Sequence, residues 1–544
     1  MKVLVIGGVA AGTKTAAKLK REDRSAEVTI LTKGKDISYA GCGLPYYVGG
    51  VIEDKGALIV NTPESFSRLT GVEVQTGMEV VSVDRDGKTV KAVQTETGEE
   101  SIHSYDKLVV ASGASPFVPP CKGTDLEGVY VMRTPEDAIS LRKAVEEGKI
   151  RRAVVVGGGF IGLEVAENLA LKGVKVSVID FAKTILPGFL DGELAAYAEN
   201  VMLDNGINVA AGVALEEIIG EGHVEKVKTS KRAMKADACI LAMGIRPNTG
   251  YLENTGIEMF KGTVLVDEHM RTNDPDIYAV GDCAMVKNRV TGKPQWSPMG
   301  STANIAGRAA AMNIAGHEVS HPGVLGTGVA KLPGICIGRT GLGESQAADA
   351  GYDTVTALTV VDDKAHYYPD ASSFIIKLIA DKSTRKILGA QVLGKGAVDK
   401  VMDIAVTGIS LGMTVDQLSA MDFSYAPPFS TAIHPIAQTA NVLLNKMAGA
   451  LDSITPAEYA AGAAEGYTIL DAASAATIPG ARHIDLTAVE GPLPEYPLDA
   501  KLLLVCTKGK RAYLLQNRLK FYGYTNTKVL EGGTFFTSFE EDEE

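Results

Sequence analysis

The run Val154–Val156, followed by Gly157-Gly158-Gly159-Phe160-Ile161-Gly162, limits the fold of this chain more than any other feature. It reads as a short apolar strand that stops at three glycines and turns at once into a helix through Glu164 and Ala170. Glycines let the backbone close that turn, and the bare N–H groups of the helix start face an anion in front of them. The next strand, Val176–Ile179, ends on Asp180, eighteen residues beyond Gly162. A carboxylate at that place accepts both ribose hydroxyls of an adenine nucleotide and repels a 2′-phosphate. Gly157, Gly159, Ile161, Gly162 and Asp180 are therefore candidates for holding NADH in preference to NADPH.

The same device occurs at the start of the chain. Lys2–Ile6 reads as a buried strand, followed by Gly7, Gly8, Ala11 and Gly12 and an alanine-rich helix over Thr13–Lys20. Val9 stands where a second spaced glycine is usual. Two such halves suit two nucleotides, a flavin on one and a nicotinamide on the other. Further strands return to these sheets. Tyr105–Ala114 carries Ala111 and Gly113, and Asp237–Gly244 ends in a glycine turn. Ile277–Val280 delivers Gly281-Asp282 to a sheet edge, where a carboxylate can meet a polyol hydroxyl.

Composition removes several classes. At 544 residues the chain exceeds a single core, so three or four domains are expected. A formal charge of −12 lacks the basic footprint that nucleic acid requires. No uninterrupted apolar stretch reaches the ~20 residues of a membrane span. MKVLVIGG leads straight into a strand, so no signal peptide is expected. Cys42, Cys121, Cys239, Cys283, Cys336 and Cys506 are far apart with no C-x-x-C pair. That spacing suits neither a disulfide scaffold nor a metal site, and points to a reducing cytoplasm.

Cys42 is the first candidate for chemistry. It lies in Gly41-Cys42-Gly43-Leu44-Pro45, a glycine-rich turn ahead of a helix with Pro45 in its first turn. A helix start stabilises a thiolate, so the expectation is a sulfur poised to ionise.

The order of these motifs over about residues 1–445 resembles the flavoprotein disulfide reductases with two dinucleotide-binding domains. The resemblance implies an α/β chain with two Rossmann-like dinucleotide-binding domains and an α+β interface (dimerisation) domain. The FAD-binding domain is expected over 1–113 and 244–320, the NAD(H)-binding domain over 114–243, and the interface domain over 321–448. Gly7, Gly8, Ala11, Gly12, Ala111, Gly113 and Gly244 are then FAD or nucleotide contacts, and Gly281-Asp282 meets the FAD ribitol. The family ends its second strand on an acid for the FAD ribose, whereas Val28–Leu31 ends here at Thr32-Lys33.

Glutathione-reductase-like members carry two cysteines and cycle through an internal disulfide, but position 47 here is Tyr. A lone redox cysteine pairs with an external thiol or becomes a sulfenic acid or persulfide. The segment is similar to that of coenzyme A-disulfide reductases and NADH-dependent persulfide reductases, and to NADH oxidases and peroxidases. In the first branch, tyrosines matching Tyr367 and Tyr425 reach the active-site sulfur from the other subunit of a homodimer. The CoA contacts implied are Lys20, Arg21, Ser38 and Arg68. His434, in Ala432-Ile433-His434-Pro435, matches the His-Pro of glutathione-reductase-like enzymes. It would return a proton to a departing thiolate near its ordinary pKa of about 6.5.

After Ile454 a new α/β unit begins. Strands at Tyr467–Leu470 and Leu502–Val505 lead into Cys506-Thr507-Lys508-Gly509-Lys510-Arg511 and a helix at Ala512–Phe521. Such a loop surrounds an anionic sulfur with N–H groups, and Lys508, Lys510 and Arg511 add positive charge. Residues 455–544 resemble a rhodanese domain, with Ile478–Ile484 and Val529–Gly533 matching its flanks. The acidic end, Glu540–Glu544, reads as a solvated tail.

The expected activity is FAD- and NADH-dependent reduction of sulfur–sulfur bonds through Cys42, with small sulfur compounds and a thiol carrier such as CoA as partners. Cys506 would carry sulfur, assisted by Arg511. Two alternatives stand beside it: an NADH oxidase or peroxidase cycling Cys42 through sulfenic acid, and a redox-sensing binding protein with little turnover.

Overall fold

The computed structural model describes residues 1–539, so the acidic stretch Glu540–Glu544 lies outside the described residues. The chain forms two compact units, one from residues 1–185 and 206–324, the other from 186–205 and 325 onward.

The first unit holds two five-stranded parallel sheets. One runs in the order Ile277–Ala279, Lys107–Val110, Lys2–Ile6, Glu27–Thr32, Glu73–Thr76. The other runs Asn208–Ala211, Lys175–Asp180, Arg152–Val156, Ala238–Leu241, Val129–Tyr130. Both central strands are buried on both faces after their first residue, which is why they read as continuous apolar runs rather than alternating ones. In each sheet the chain leaves the central strand in opposite directions, so a crevice opens beyond the strands' carboxyl ends, where ligands of such sheets sit.

Small residues set the helix packing. The helix Ala10–Glu22 starts three residues before the expected Thr13 and packs on Gly300–Ile314 through Ala16, Ala303 and Ala306. The approach is so close that a Cβ on Gly307 would come 2.8 Å from the Ala11 carbonyl oxygen.

The second unit contains a five-stranded antiparallel sheet ordered Gly328–Leu332, Ile335–Gly341, Ile387–Gly394, Ser373–Asp381, Thr354–Asp362. Lys377 lies in its interior at 1% exposure, with its ammonium 2.8 Å from Asp191, 2.5 Å from Glu193 and 2.7 Å from Glu344. Burial alone would lower its pKa, but the three carboxylates outweigh that and raise it. The same three acids could geometrically hold a metal ion, and Lys377 is the cation they enclose.

The same unit carries a parallel sheet ordered Ser453–Ile454, Thr527–Leu530, Leu502–Val505, Thr468–Asp471, Arg482–His483. The helix after it, Lys510–Phe521, begins two residues earlier than the sequence suggested. Glu531, 4% exposed, fastens this sheet to the antiparallel one. Its carboxylate accepts from Leu358 N at 2.7 Å, Lys446 Nζ at 2.7 Å and Ser453 Oγ at 2.6 Å. Among the described residues no helix is long and apolar enough to cross a membrane.

Candidate active site and nucleotide cradles

The first glycine turn is closed by backbone bonds: Gly7 N donates to Leu31 O at 2.8 Å and Ala111 N to Ile6 O at 2.9 Å. Gly7 has φ +110°, and a Cβ there would lie 2.1 Å from Ala111 O. A Cβ on Gly12 would lie 1.9 Å from Gly7 O. Gly281 comes close enough to this turn that its Cβ would be 2.8 Å from Ala11 Cβ, which brings Asp282 beside the helix start. The helix Ala10–Glu22 has no side-chain cap and no acid in its first turn, so its N–H groups face outward unpaired by side chains. That is the arrangement a pyrophosphate fits.

The second cradle repeats the geometry. Gly157 N donates to Ile179 O at 2.8 Å, and a Cβ on Gly162 would lie 1.9 Å from Gly157 O. Gly159 caps the helix Phe160–Leu171 without a side chain, and a Cβ there would meet nothing within 4 Å. Gly244, at φ +97°, is likewise open. Asp180 accepts from Gly158 N at 2.6 Å through one oxygen and from Ala182 N at 2.7 Å through the other. Each oxygen keeps a second lone pair, so a ribose hydroxyl still finds an acceptor.

Asp282 has a partner that the sequence did not suggest. Arg133, 149 residues earlier, places its guanidinium 3.1 Å from the Asp282 carboxylate. No spacing rule marks it, since the only local signal is the capped helix start at Thr134 just after it. At the end of the second strand Thr32 is buried, and Lys33 forms an exposed ion pair with Glu79 at 2.8 Å.

Cys42 is exposed on a single 3₁₀ turn, Gly41–Gly43, ahead of the five-residue helix Leu44–Val48. Arg142 clamps this helix from below. It stacks 4.4 Å from the Tyr47 ring and donates to the carbonyls of Tyr47, Ile52 and Glu53 at 3.1–3.2 Å. The expectation of a thiol already poised to ionise is not met. Although the residue is exposed, partial desolvation of its sulfur raises the pKa, the Glu164 and Asp282 charges add to the rise, and Arg133 opposes it. A five-residue helix is too short a dipole to reverse that balance.

One turn on, Tyr46 donates to Glu164 at 3.3 Å. Burial pushes the Glu164 carboxyl up to about 7, against the lowering effect of that hydrogen bond, and Tyr46 rises to about 12. Glu164 therefore gains its charge near neutrality and, once charged, holds the Cys42 thiol protonated to higher pH. The Glu164→Gln variant is expected to shift the ultraviolet titration of the Cys42 thiolate to lower pH; an unmoved titration refutes the coupling.

Around this turn Ser38 is held at φ +49°, with its N–H on Gly8 O at 2.9 Å. Arg21 and Arg68 are exposed. Lys20 already donates to Arg24 O and Ala26 O, at 2.9 and 2.8 Å, and keeps one N–H free.

In the second unit, Tyr367 and Tyr425, 58 positions apart in sequence, meet: a hydrogen bond between the phenols raises the Tyr425 pKa. Both are exposed, with Tyr368, Met421, Phe429 and Ile433. His434 is 4% exposed, stacks on Phe423 at 4.5 Å and accepts from Ile436 N at 3.4 Å as the cap of Pro435–Met447. Burial, with Lys400 nearby, pushes its pKa down to about 4. The expected proton donor is thus a neutral helix cap at pH 7, because an imidazolium there would be desolvated beside a cation.

Cys506 is 2% exposed at the end of Leu502–Val505, and Ala512 N donates to its Sγ at 3.4 Å. Gly509, at φ +89°, and Gly533, where a Cβ would lie 1.8 Å from Cys506 O, shape its loop. Arg511 donates through Nε to Ala472 O at 2.9 Å. Lys508 is paired with Asp362 at 2.6 Å, so not all of the expected charge is left unneutralised.

Residues 1–311 match the model of the pyridine nucleotide-disulphide oxidoreductases, 333–437 that family's dimerisation domain, and 439–535 the rhodanese-like domain. The chain belongs to the pyridine nucleotide-disulphide oxidoreductase family. Membership implies FAD and NAD(P)H as cofactors, and both glycine cradles fit them.

A protein of Methanocaldococcus jannaschii named NADH oxidase is 35% identical over 447 residues, 82% of this chain and 99% of its own. A Pyrococcus horikoshii protein named NAD(P)H coenzyme A polysulfide/persulfide reductase is also 35% identical, over 81% of this chain and 98% of its own. Among solved structures, a NAD-dependent persulfide reductase from A. fulgidus superposes with TM-score 0.93 at 37% identity, covering 98% of this chain and all of that one. Reduced CoADR-RHD of Bacillus anthracis gives TM-score 0.93 at 33% identity, over 98% and 97%. The oxidoreductase reading and the rhodanese-like tail expected from the sequence both stand with these findings. None of the six cysteines is in a disulfide.

Proposed function

We propose that this oxidoreductase is a cytoplasmic homodimer that reduces persulfide, polysulfide or disulfide bonds of CoA or a similar thiol at the expense of NADH. The observation that carries the reading is an exposed Cys42 with no second cysteine beside it in sequence, in a chain that also carries Cys506 in a rhodanese-like loop. The persulfide reductase from A. fulgidus spans the tail as well as the core, whereas the relatives named NADH oxidase and polysulfide/persulfide reductase each match about four fifths of the chain.

In this reading residues 1–113 and 244–320 hold FAD, 114–243 hold NADH, 321–448 make the dimer interface, and 455–544 carry sulfur. FAD, when bound, supplies to sulfur the electron pair that NADH gives up. The Cys42 thiolate attacks the S–S bond of R–S–SH at the inner sulfur, forming Cys42–S–S–R and releasing hydrosulfide. Two-electron reduction of that bond returns the Cys42 thiolate and R–S⁻. Glu164 and Tyr46 handle the proton at Cys42. Tyr367 and Tyr425 of the second copy donate hydrogen bonds to the departing thiolate, and the exposed apolar side chains Phe429 and Ile433 are among those the second copy covers. Arg21, Arg68, Ser38 and the free N–H of Lys20 contact the carrier's phosphates.

The test is steady-state NADH consumption by purified holoprotein with CoA persulfide, with oxygen and with peroxide. Turnover with the persulfide, and NADH favoured over NADPH, is the expected result. Turnover only with oxygen or peroxide transfers the chain to the oxidase reading, and no turnover with any of them leaves a binding protein.

A further inference from the structure

The loop after Cys506 places Lys508, Lys510 and Arg511 within five residues of the sulfur. Lys508 is spent elsewhere. Its ammonium lies 2.6 Å from Asp362 Oδ1 and donates to Ser373 Oγ at 2.8 Å. Asp362 and Ser373 face each other across neighbouring antiparallel strands, so the trap is fixed in the sheet. Lys508 also lies 5.8 Å from the Phe535 ring. Both partners are about a third exposed, 35% and 36%, so the pair adds little to stability. What it does is locate charge. A dianion entering the loop that begins at Cys506 meets, two residues on in sequence, a lysine already neutralised by a carboxylate.

We propose that Asp362 is a specificity-determining residue for the Cys506 site: by holding Lys508 in an ion pair, it makes the site a poor acceptor of sulfur from small dianions and leaves it open to sulfane sulfur carried on a thiol. This rests on the reading of Cys506 as a sulfur carrier. With a carried persulfide, the Cys506 thiolate attacks the terminal sulfur of R–S–SH. The Sγ–S bond forms as the R–S bond breaks, the electron pair leaves on R–S⁻, and the proton stays on the transferred sulfur. With thiosulfate the same attack releases sulfite and brings two negative charges into the loop, where Coulomb repulsion by Asp362 acts against them. Asp362 touches neither donor, and works by keeping Lys508 from the anion.

The experiment uses full-length holoprotein with thiosulfate and with glutathione persulfide as sulfur donors. Asp362→Asn is expected to raise kcat/KM for thiosulfate about tenfold, mainly through KM, with the gain fading at raised salt. With glutathione persulfide the same variant stays within about twofold of wild type. Lys508→Ala alone, which leaves the Asp362 carboxylate unpaired, lowers kcat/KM for thiosulfate about threefold or more, and added to Asp362→Asn it cancels the gain. No gain in the Asn variant, or thiosulfate transfer by Lys508→Ala that stays at or above the wild-type value, overturns the proposal. If the Asn variant loses NADH-driven reduction at Cys42 and so has misfolded, the Lys508→Ala result decides alone. Sulfur transfer that survives Cys506→Ser sinks the carrier reading itself; transfer lost there, with no gain from Asp362→Asn, sinks only the role of Asp362.

Discussion

Cys42→Ser is expected to purify yellow, to bleach with NADH as wild type does, and to lose sulfur-dependent turnover by about three orders of magnitude or more. The split follows from where the parts lie. The two glycine turns owe their shape to Gly7, Gly12, Gly157 and Gly162, whose backbone contacts do not involve the Cys42 sulfur. Serine fits the exposed 3₁₀ turn, and the Arg142 clamp holds backbone carbonyls and the Tyr47 ring, so the helix Leu44–Val48 keeps its place. What disappears is a nucleophile that ionises within reach of neutral pH, since a serine hydroxyl does not. Because the thiol pKa is raised, the wild-type rate should climb with pH across neutrality as the thiolate fraction grows. Persulfide turnover by the serine variant at even a tenth of the wild-type rate would end the assignment of Cys42.

Cys506→Ser should separate the two sulfur sites. Transfer of sulfane sulfur to an acceptor thiol falls to background, while NADH-driven reduction of a small disulfide stays within about twofold, since the two cysteines belong to different compact units and independent sites act additively. Cys506 is buried, but serine is nearly its size and Ala512 N can donate to the hydroxyl as it does to Sγ, so the loop stands. The docking of this sheet depends on Glu531, with its bonds to Leu358, Lys446 and Ser453, rather than on the cysteine. Stopped-flow reduction of the flavin by NADH, run beside both assays, shows whether the core is intact. A parallel fall of both activities with normal flavin reduction would mean that the sites are obligately linked.

The glycine turns, the strand runs and the family were legible in the sequence because their requirements are local. A backbone at φ +110° or a carbonyl 1.9 Å from a would-be Cβ admits only glycine, wherever the chain goes afterwards. Parallel strands buried on both faces must be apolar throughout, and Cys506 lies between a strand and a helix that are contiguous with it. Electrostatic state was a different matter. His434 was expected to titrate near neutrality, but Phe423 and Lys400 reach it through the fold and hold it neutral. Cys42 was expected to be acidified by its helix, yet Glu164 and Asp282 come from 122 and 240 positions away and act in the other direction. The meeting of Arg133 with Asp282, of Tyr367 with Tyr425 and of Lys508 with Asp362 likewise waits on tertiary structure. A residue type states which charge a side chain can carry, and only the assembled neighbours decide the pH at which it carries it and the partner on which it is spent.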